Sequence, residues 1–134
     1  MKHKVCDLEG ELLDAAVAMA HGWVAKLVRD PDGVVRGGEE FVNYVDSNGA
    51  GQYTPEEWSP STDWNQGGPI IERERIDISS PDPFEEDQRW YALLWLGRDA
   101  ATVSAKFNQR GETPLIAAMR SFVVSRLGDE VDIL

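Results

Sequence analysis

The stretch from Thr113 to Gly128 (Thr-Pro-Leu-Ile-Ala-Ala-Met-Arg-Ser-Phe-Val-Val-Ser-Arg-Leu-Gly) constrains the fold more than any other part of this chain. Thr113 is a good side-chain cap, and Pro114 suits the first helical turn, where its missing N–H costs nothing. Leu115, Met119, Phe122 and Leu127 recur down one side, with Ile116 and Val123 beside them. Arg126 falls in the last turn, and Gly128 follows as a left-handed cap. An amphipathic helix needs an apolar layer to lie on, so the rest of the chain must supply one.

The chain has 134 residues, 42% of them hydrophobic, which suits one domain spanning 1–134 with a single core. Leu12 to His21 reads as a helix with Leu12, Ala16, Met19 and Ala20 on one face, and Gly22 stops it. Val5 to Leu8 reads as a short strand before it. Trp23 to Val28 alternates as a strand, Asp30-Pro-Asp-Gly33 is a turn signal, and Val34 to Arg36 would return as the hairpin's second strand. The stretch 37–57 is a loop insertion in which Phe41 to Val45 is an apolar island, either a strand or a loop anchor. Ile76 to Ile78 is a short strand, and 79–89 is an acidic, Pro-rich linker. Trp90 to Leu96 is dense in aromatic residues and reads as a strand buried on both faces, ended by Gly97 and Asp99. Asp129 to Ile133 is an edge strand or tail. The expected class is α+β, a small, mostly antiparallel sheet packed against an N-terminal helix and a longer C-terminal one.

Charge and cysteine usage exclude several functions. The 24 Asp and Glu against 13 Lys and Arg leave a net charge of −11. Nucleic acids demand a concentrated cationic face, whereas the arginines here alternate with acids, as in Glu72-Arg73-Glu74-Arg75. The same charge disfavours anionic membrane surfaces. Cys6 stands alone, which suits a reducing cytoplasm. No run approaches the roughly 20 apolar residues that span a bilayer, and no secretory signal is present. His3 and His21 lie far apart, outside any metal-binding spacing, so neither a metal nor a cofactor is expected.

The densest block, from Trp58 to Arg75, is the candidate site. Trp58 and Trp64 offer flat faces for stacking a nucleobase. Asp63, Asn65 and Gln66 would read its polar edge, and Gly67-Gly68 would let backbone amides approach a ligand. Pro69 would open a helical turn whose free amides favour an anion. Arg73 would neutralise a phosphate if Glu72 and Glu74 face elsewhere. The structural alternative uses the same residues otherwise. Trp58 and Trp64 would be core anchors, Thr62 or Asp63 a helix cap, and Gly67-Gly68-Pro69 a tight turn, with Ile70 and Ile71 plugging the core.

Three stretches resemble the NinX-like family of phage proteins: Leu8 to Gly22, Trp58 to Ile76, and Gly111 to Val131 with its Thr113-Pro-Leu-Ile-Ala-Ala-Met-Arg120 run. The departures are the extended Gly37–Thr54 segment and the acidic linker after Ser80. The resemblance implies an accessory protein of temperate tailed phages and prophages, at work in the host cytoplasm. It carries over no catalytic residues. The expected function is binding, to a host protein or a small nucleotide-like ligand. One alternative is an enzyme on a nucleotide-like metabolite, with Asp63 or Glu72 as base and Arg73 on the phosphate. Another is an acidic module docking on a basic host protein. An exposed Trp-rich block would also suit a homodimer interface.

Overall fold

A computed structural model of the chain describes residues 1–29, 40–96 and 105–133. In chain order they form β1 (Lys2–Lys4), a 3₁₀ turn (Val5–Asp7), α1 (Gly10–Ala20), β2 (Val24–Arg29), β3 (Glu40–Val45), α2 (Trp64–Glu74), β4 (Asp77–Ser79), β5 (Trp90–Leu96), β6 (Ala105–Gly111), α3 (Pro114–Leu127) and β7 (Glu130–Asp132). The strands pair as β1-β7, β2-β3 and β4-β5-β6, antiparallel throughout. This is an α+β domain as expected, and among the described residues the strands divide into three small sheets.

The closing helix starts where Thr113 and Pro114 place it, and the Thr113 hydroxyl accepts from the Ile116 amide at 3.1 Å. It is not amphipathic, however. Leu115 and every residue from Ala117 to Val124 are buried, while Leu127 is exposed. The helix runs between β4, β5 and β6 and the other two helices. Enclosure puts two polar side chains inside, and both find backbone acceptors. Arg120 donates from Nε to the Leu8 carbonyl (2.8 Å) and from Nη1 to the Arg110 carbonyl (2.7 Å). Ser121 Oγ donates to the Ala92 carbonyl at 3.1 Å. Gly128 ends the helix with φ 88° and ψ −173°, an extended positive-φ state open to glycine rather than a left-handed helical cap.

Other elements depart from the sequence reading for local reasons. Val5–Asp7 is a 3₁₀ turn, tied to the C-terminal segment by the Val5 amide on the Asp129 carbonyl at 2.9 Å. Helix α1 buries Leu13, Ala16 and Val17, while Leu12 and Met19 face outward. Its inner arc includes Asp14, a carboxylate that breaks the apolar stripe in sequence. In β5, Ala92 and Leu94 are buried under α3, whereas Tyr91, Leu93 and Trp95 are half-buried, so one face is enclosed rather than both. The apolar island at Phe41 is strand β3, paired with β2 from Val24↔Val45 to Arg29↔Glu40. The turn at Asp30–Gly33, the strand at Val34–Arg36, and Gly97 and Asp99 lie outside the described residues. Among the described residues no helix is long and apolar enough to cross a membrane.

Replacing Arg120 with Met keeps the length of the side chain but strips the buried Leu8 carbonyl and the partly buried Arg110 carbonyl of this donor. Each group left unsatisfied costs about 1–3 kcal/mol. The expected loss is at least about 2 kcal/mol, read from urea denaturation, while Leu127→Ala should change stability far less.

Candidate binding surface

Helix α2 begins five residues before Pro69, so the Gly67-Gly68-Pro69 turn does not form. Asp63 is its cap, accepting the Asn65 amide at 2.9 Å. Gln66 faces back onto the preceding loop, where Oε1 accepts from the Ser59 amide (2.6 Å) and Nε2 donates to the Glu57 carbonyl (2.7 Å). Gly67 is buried where a Cβ would meet the Pro60 carbonyl oxygen at 2.4 Å and Leu115 Cδ2 at 2.6 Å. Gly68 has open space around the same position. Three of the candidate residues thus hold the loop and helix together. At the far end, Arg73 Nε pairs with Glu74 Oε2 at 2.9 Å. Glu74 therefore does not face elsewhere, and it also pairs with Arg126.

The two candidate tryptophans have different surroundings. Trp64 is 56% exposed, in a depression of about 200 Å³ between the starts of α2 and α3. Trp58 is 5% exposed, and its indole N–H donates to the Asp14 carbonyl at 2.9 Å. Its ring sits 4.8 Å from both Trp23 and Tyr53. Trp64 and Arg73 are nine residues apart on one helix, a span of roughly 13 Å. The candidate block does not close on one ligand-sized site.

A larger concavity lies between α1 and the β2-β3 hairpin. Ala15, Met19, Trp23, Val24 and Tyr44 line a trough of about 530 Å³. It adjoins a second hollow of about 310 Å³, which shares Ala15 and Tyr44 and adds Glu11, Asp14, Glu56 and Trp58. The first hollow is mostly apolar, with Asp132 also in its lining, and the second carries Glu11, Asp14 and Glu56. Asp14 is nearly enclosed and accepts the Ser61 amide at 2.9 Å. The buried Ser61 hydroxyl lies against the same carboxylate without making a well-formed bond. Burial pushes the Asp14 carboxyl above its usual range, partly opposed by Ser61. Burial likewise raises the Tyr44 phenol, and the Asp14 charge adds to the effect.

In the sequence Met19 reads as a helix-face residue and Trp23 as the start of a strand, and none of Trp23, Tyr44, Met19 and Asp14 stands out as a site residue. Asp14 and Met19 come from α1, Trp23 from the connection after it and Tyr44 from β3, and the approach of α1 to the hairpin unites them. The crowding of Trp23, Tyr44, Tyr53 and Trp58 in one third of the chain was the available signal.

The family described as Bacteriophage P22, NinX matches residues 4–126. The chain belongs to that family. Comparison with curated proteins gives no match. The span matched to NinX takes in the five trough residues above, the carboxylates Glu11, Asp14 and Glu56, and every residue of the Trp58–Arg75 block.

Behind the trough, His21 stacks on Trp23 at 4.5 Å and lies 5.0 Å from Phe122. Nδ1 is 2.9 Å from the Val17 carbonyl and therefore carries the proton, leaving Nε2 to accept from Arg73 Nη2 at 3.0 Å. Burial lowers the His21 pKa from 6.5, and the Arg73 charge lowers it further. Below about pH 6.5 the unfolded chain takes up a proton that the folded state resists. The His21 contribution to stability is therefore present above that pH and is lost as pH falls towards the lower folded value. Thermal melts between about pH 7 and about pH 5.5 should show a fall that His21→Gln flattens. A second pair separates packing from ligand approach in the glycine block. Gly67→Ala should destabilise by about 1–3 kcal/mol through overpacking, whereas Gly68→Ala should gain about 0.5–1 kcal/mol as a helix-interior replacement. Chemical denaturation of both variants checks the contrast.

Proposed function

We propose that this NinX-family chain is a phage accessory protein that acts by binding a basic segment of a host protein, in the host cytoplasm, rather than by catalysis. One observation carries the reading, the trough between α1 and the hairpin with its apolar half at Trp23, Tyr44 and Met19 and its carboxylate half at Glu11, Asp14 and Glu56. A peptide that alternates apolar and Lys or Arg side chains complements both halves. A chain of net charge −11 attracts such a partner at long range, and rim charges act mainly on the association rate.

The same carboxylates disfavour a phosphate-bearing ligand in that trough. A small-molecule reading has its support at Trp64, but the hollow there is about 200 Å³, below the roughly 300–1,000 Å³ of drug-sized ligand sites. The enzymatic alternative receives no geometric support from its named residues. Asp63 caps α2 at one end, Glu72 is exposed near the other, and Arg73 is engaged with Glu74 and His21.

Native mass spectrometry distinguishes these readings. The purified chain is measured alone, with a bacterial nucleotide and metabolite extract, and with host cytosolic protein. The expected result is a protein adduct that weakens as salt rises and disappears in the double variant Glu11→Lys, Glu56→Lys. A discrete small-molecule increment lost in Trp64→Ala would replace this reading with the ligand-site one.

A further inference from the structure

Phe84 is 95% exposed, the largest value of any aromatic side chain among the described residues. It sits in the connection between β4 and β5, in the run Asp82-Pro-Phe-Glu-Glu-Asp87. An exposed phenyl on a loose loop would be unremarkable, since single apolar residues are common on surfaces. This loop is held in place. The Phe84 amide bonds Asp82 Oδ1 at 2.9 Å, and the Glu85 amide bonds the Asp82 carbonyl at 3.0 Å. Gln88 Nε2 reaches the carbonyls of Asp82 and Glu85 at 2.9 and 2.7 Å. Asp87 takes a two-point contact from Arg89 at 3.0 and 2.9 Å, and Arg89 holds its carboxyl down at about 2. From β6, Arg110 pairs with Glu85 at 2.9 Å and with Asp87 at 3.5 Å. Two prolines, Pro81 and Pro83, stiffen the backbone further.

We propose that Phe84 is a docking anchor that inserts into an apolar pocket of a partner protein rimmed by Lys and Arg. Holding the phenyl out in advance removes much of the ordering cost that a flexible loop would incur on binding. The choice of partner follows from charge. Asp82, Glu85, Glu86 and Asp87 flank Phe84 within five residues of chain, and Arg89 and Arg110 pair with only Glu85 and Asp87 among them. This chain has an apolar trough that a phenyl would suit by size, but Glu11, Asp14 and Glu56 stand beside it. Self-docking would bring carboxylates against carboxylates, so the occupant is a different, basic protein. The inference stands apart from the trough, because neither set of residues contributes to the other.

The test uses the full chain immobilised and exposed to host cytosol, beside Phe84→Ala and Glu86→Lys. A protein retained by the parent chain and lost by Phe84→Ala is purified and titrated calorimetrically against all three. The expected result is a Kd raised roughly tenfold or more by Phe84→Ala, and raised by Glu86→Lys in a way that salt diminishes. The unfolding midpoint of Phe84→Ala should match the parent, because the side chain buries nothing. The same partner should then be titrated against Glu11→Lys, Glu56→Lys. Loss there with Phe84→Ala unaffected would overturn the anchor and leave the trough reading standing. A purified partner that binds Phe84→Ala within about twofold, or no retained protein that distinguishes the variants, also overturns it. So would a concentration-dependent dimer dissolved by Phe84→Ala, which would make a second copy the occupant.

Discussion

The enclosure of α3 on all sides is the constraint on which the other elements depend. A two-stranded ribbon is marginal in water, and this fold contains two of them beside a three-stranded sheet. None has a second layer of its own sequence to lie on. The three-stranded sheet, the β1-β7 ribbon through β7, and both other helices pack on the same central rod, whose contacts include β4, β5, β6, β7, α1 and α2. The helix can be central because Ala117, Ala118 and Ser121 are small enough to let neighbours approach closely. Arg120 then solves a problem that enclosure creates. The Leu8 carbonyl follows the N-terminal turn and the Arg110 carbonyl belongs to β6, and one guanidinium donates to both. A charged group in that position joins the N-terminal turn to β6 in a way that an apolar side chain cannot.

The features legible in the sequence are those whose cause is local. Thr113 and Pro114 mark the start of α3 because capping depends on residues within one turn. Asp63 as a cap and the strand at Trp90–Leu96 were legible for the same reason. Enclosure was not, because Leu115, Met119 and Phe122 form a stripe that fits an ordinary surface helix equally well. Strand β6 escaped notice since Lys106, Asn108 and Arg110 make it look like loop, and its pairing with β5 supplies what its composition lacks. In α1 the stripe through Leu12 and Met19 lies next to the one through Leu13 and Val17. Asp14 tips the choice only once Ser61 and Trp58 are seen bonding to it.

The candidate block shows how a chemically dense segment can be occupied with its own architecture. Gln66 has both ends of its amide committed to the loop it faces, Gly67 is the contact point with Pro60 and α3, and Asp63 has its carboxylate on a helix amide. Polar side chains and glycines of this kind are the same ones a ligand would need, so composition alone cannot separate the two uses. Partners in space do. The trough has the opposite history. Ala15, Met19, Trp23 and Tyr44 are unremarkable one by one, and their convergence depends on the angle at which the hairpin leaves α1.

Where the hairpin begins, an aromatic stack packs around Trp23. Trp23 lies between His21 on one side, at 4.5 Å, and Trp58 on another, at 4.8 Å. His21 in turn rests near Phe122 of α3, and Arg73 and Arg126 stand over the Phe122 ring at 5.7 and 5.2 Å. Moving Trp23 means displacing rings that are themselves anchored, Trp58 by the Asp14 carbonyl and His21 by the Val17 carbonyl. The trough wall is therefore fixed to the central helix through side chains whose own hydrogen bonds are already made. A surface organised in this way loses little conformational freedom when a partner arrives, which raises affinity without enlarging the contact. Rigid positioning is costly to maintain around a buried carboxylate and a half-buried imidazole. The proposed recognition role would give that cost a use, whereas a core serving stability alone would be better filled with apolar side chains.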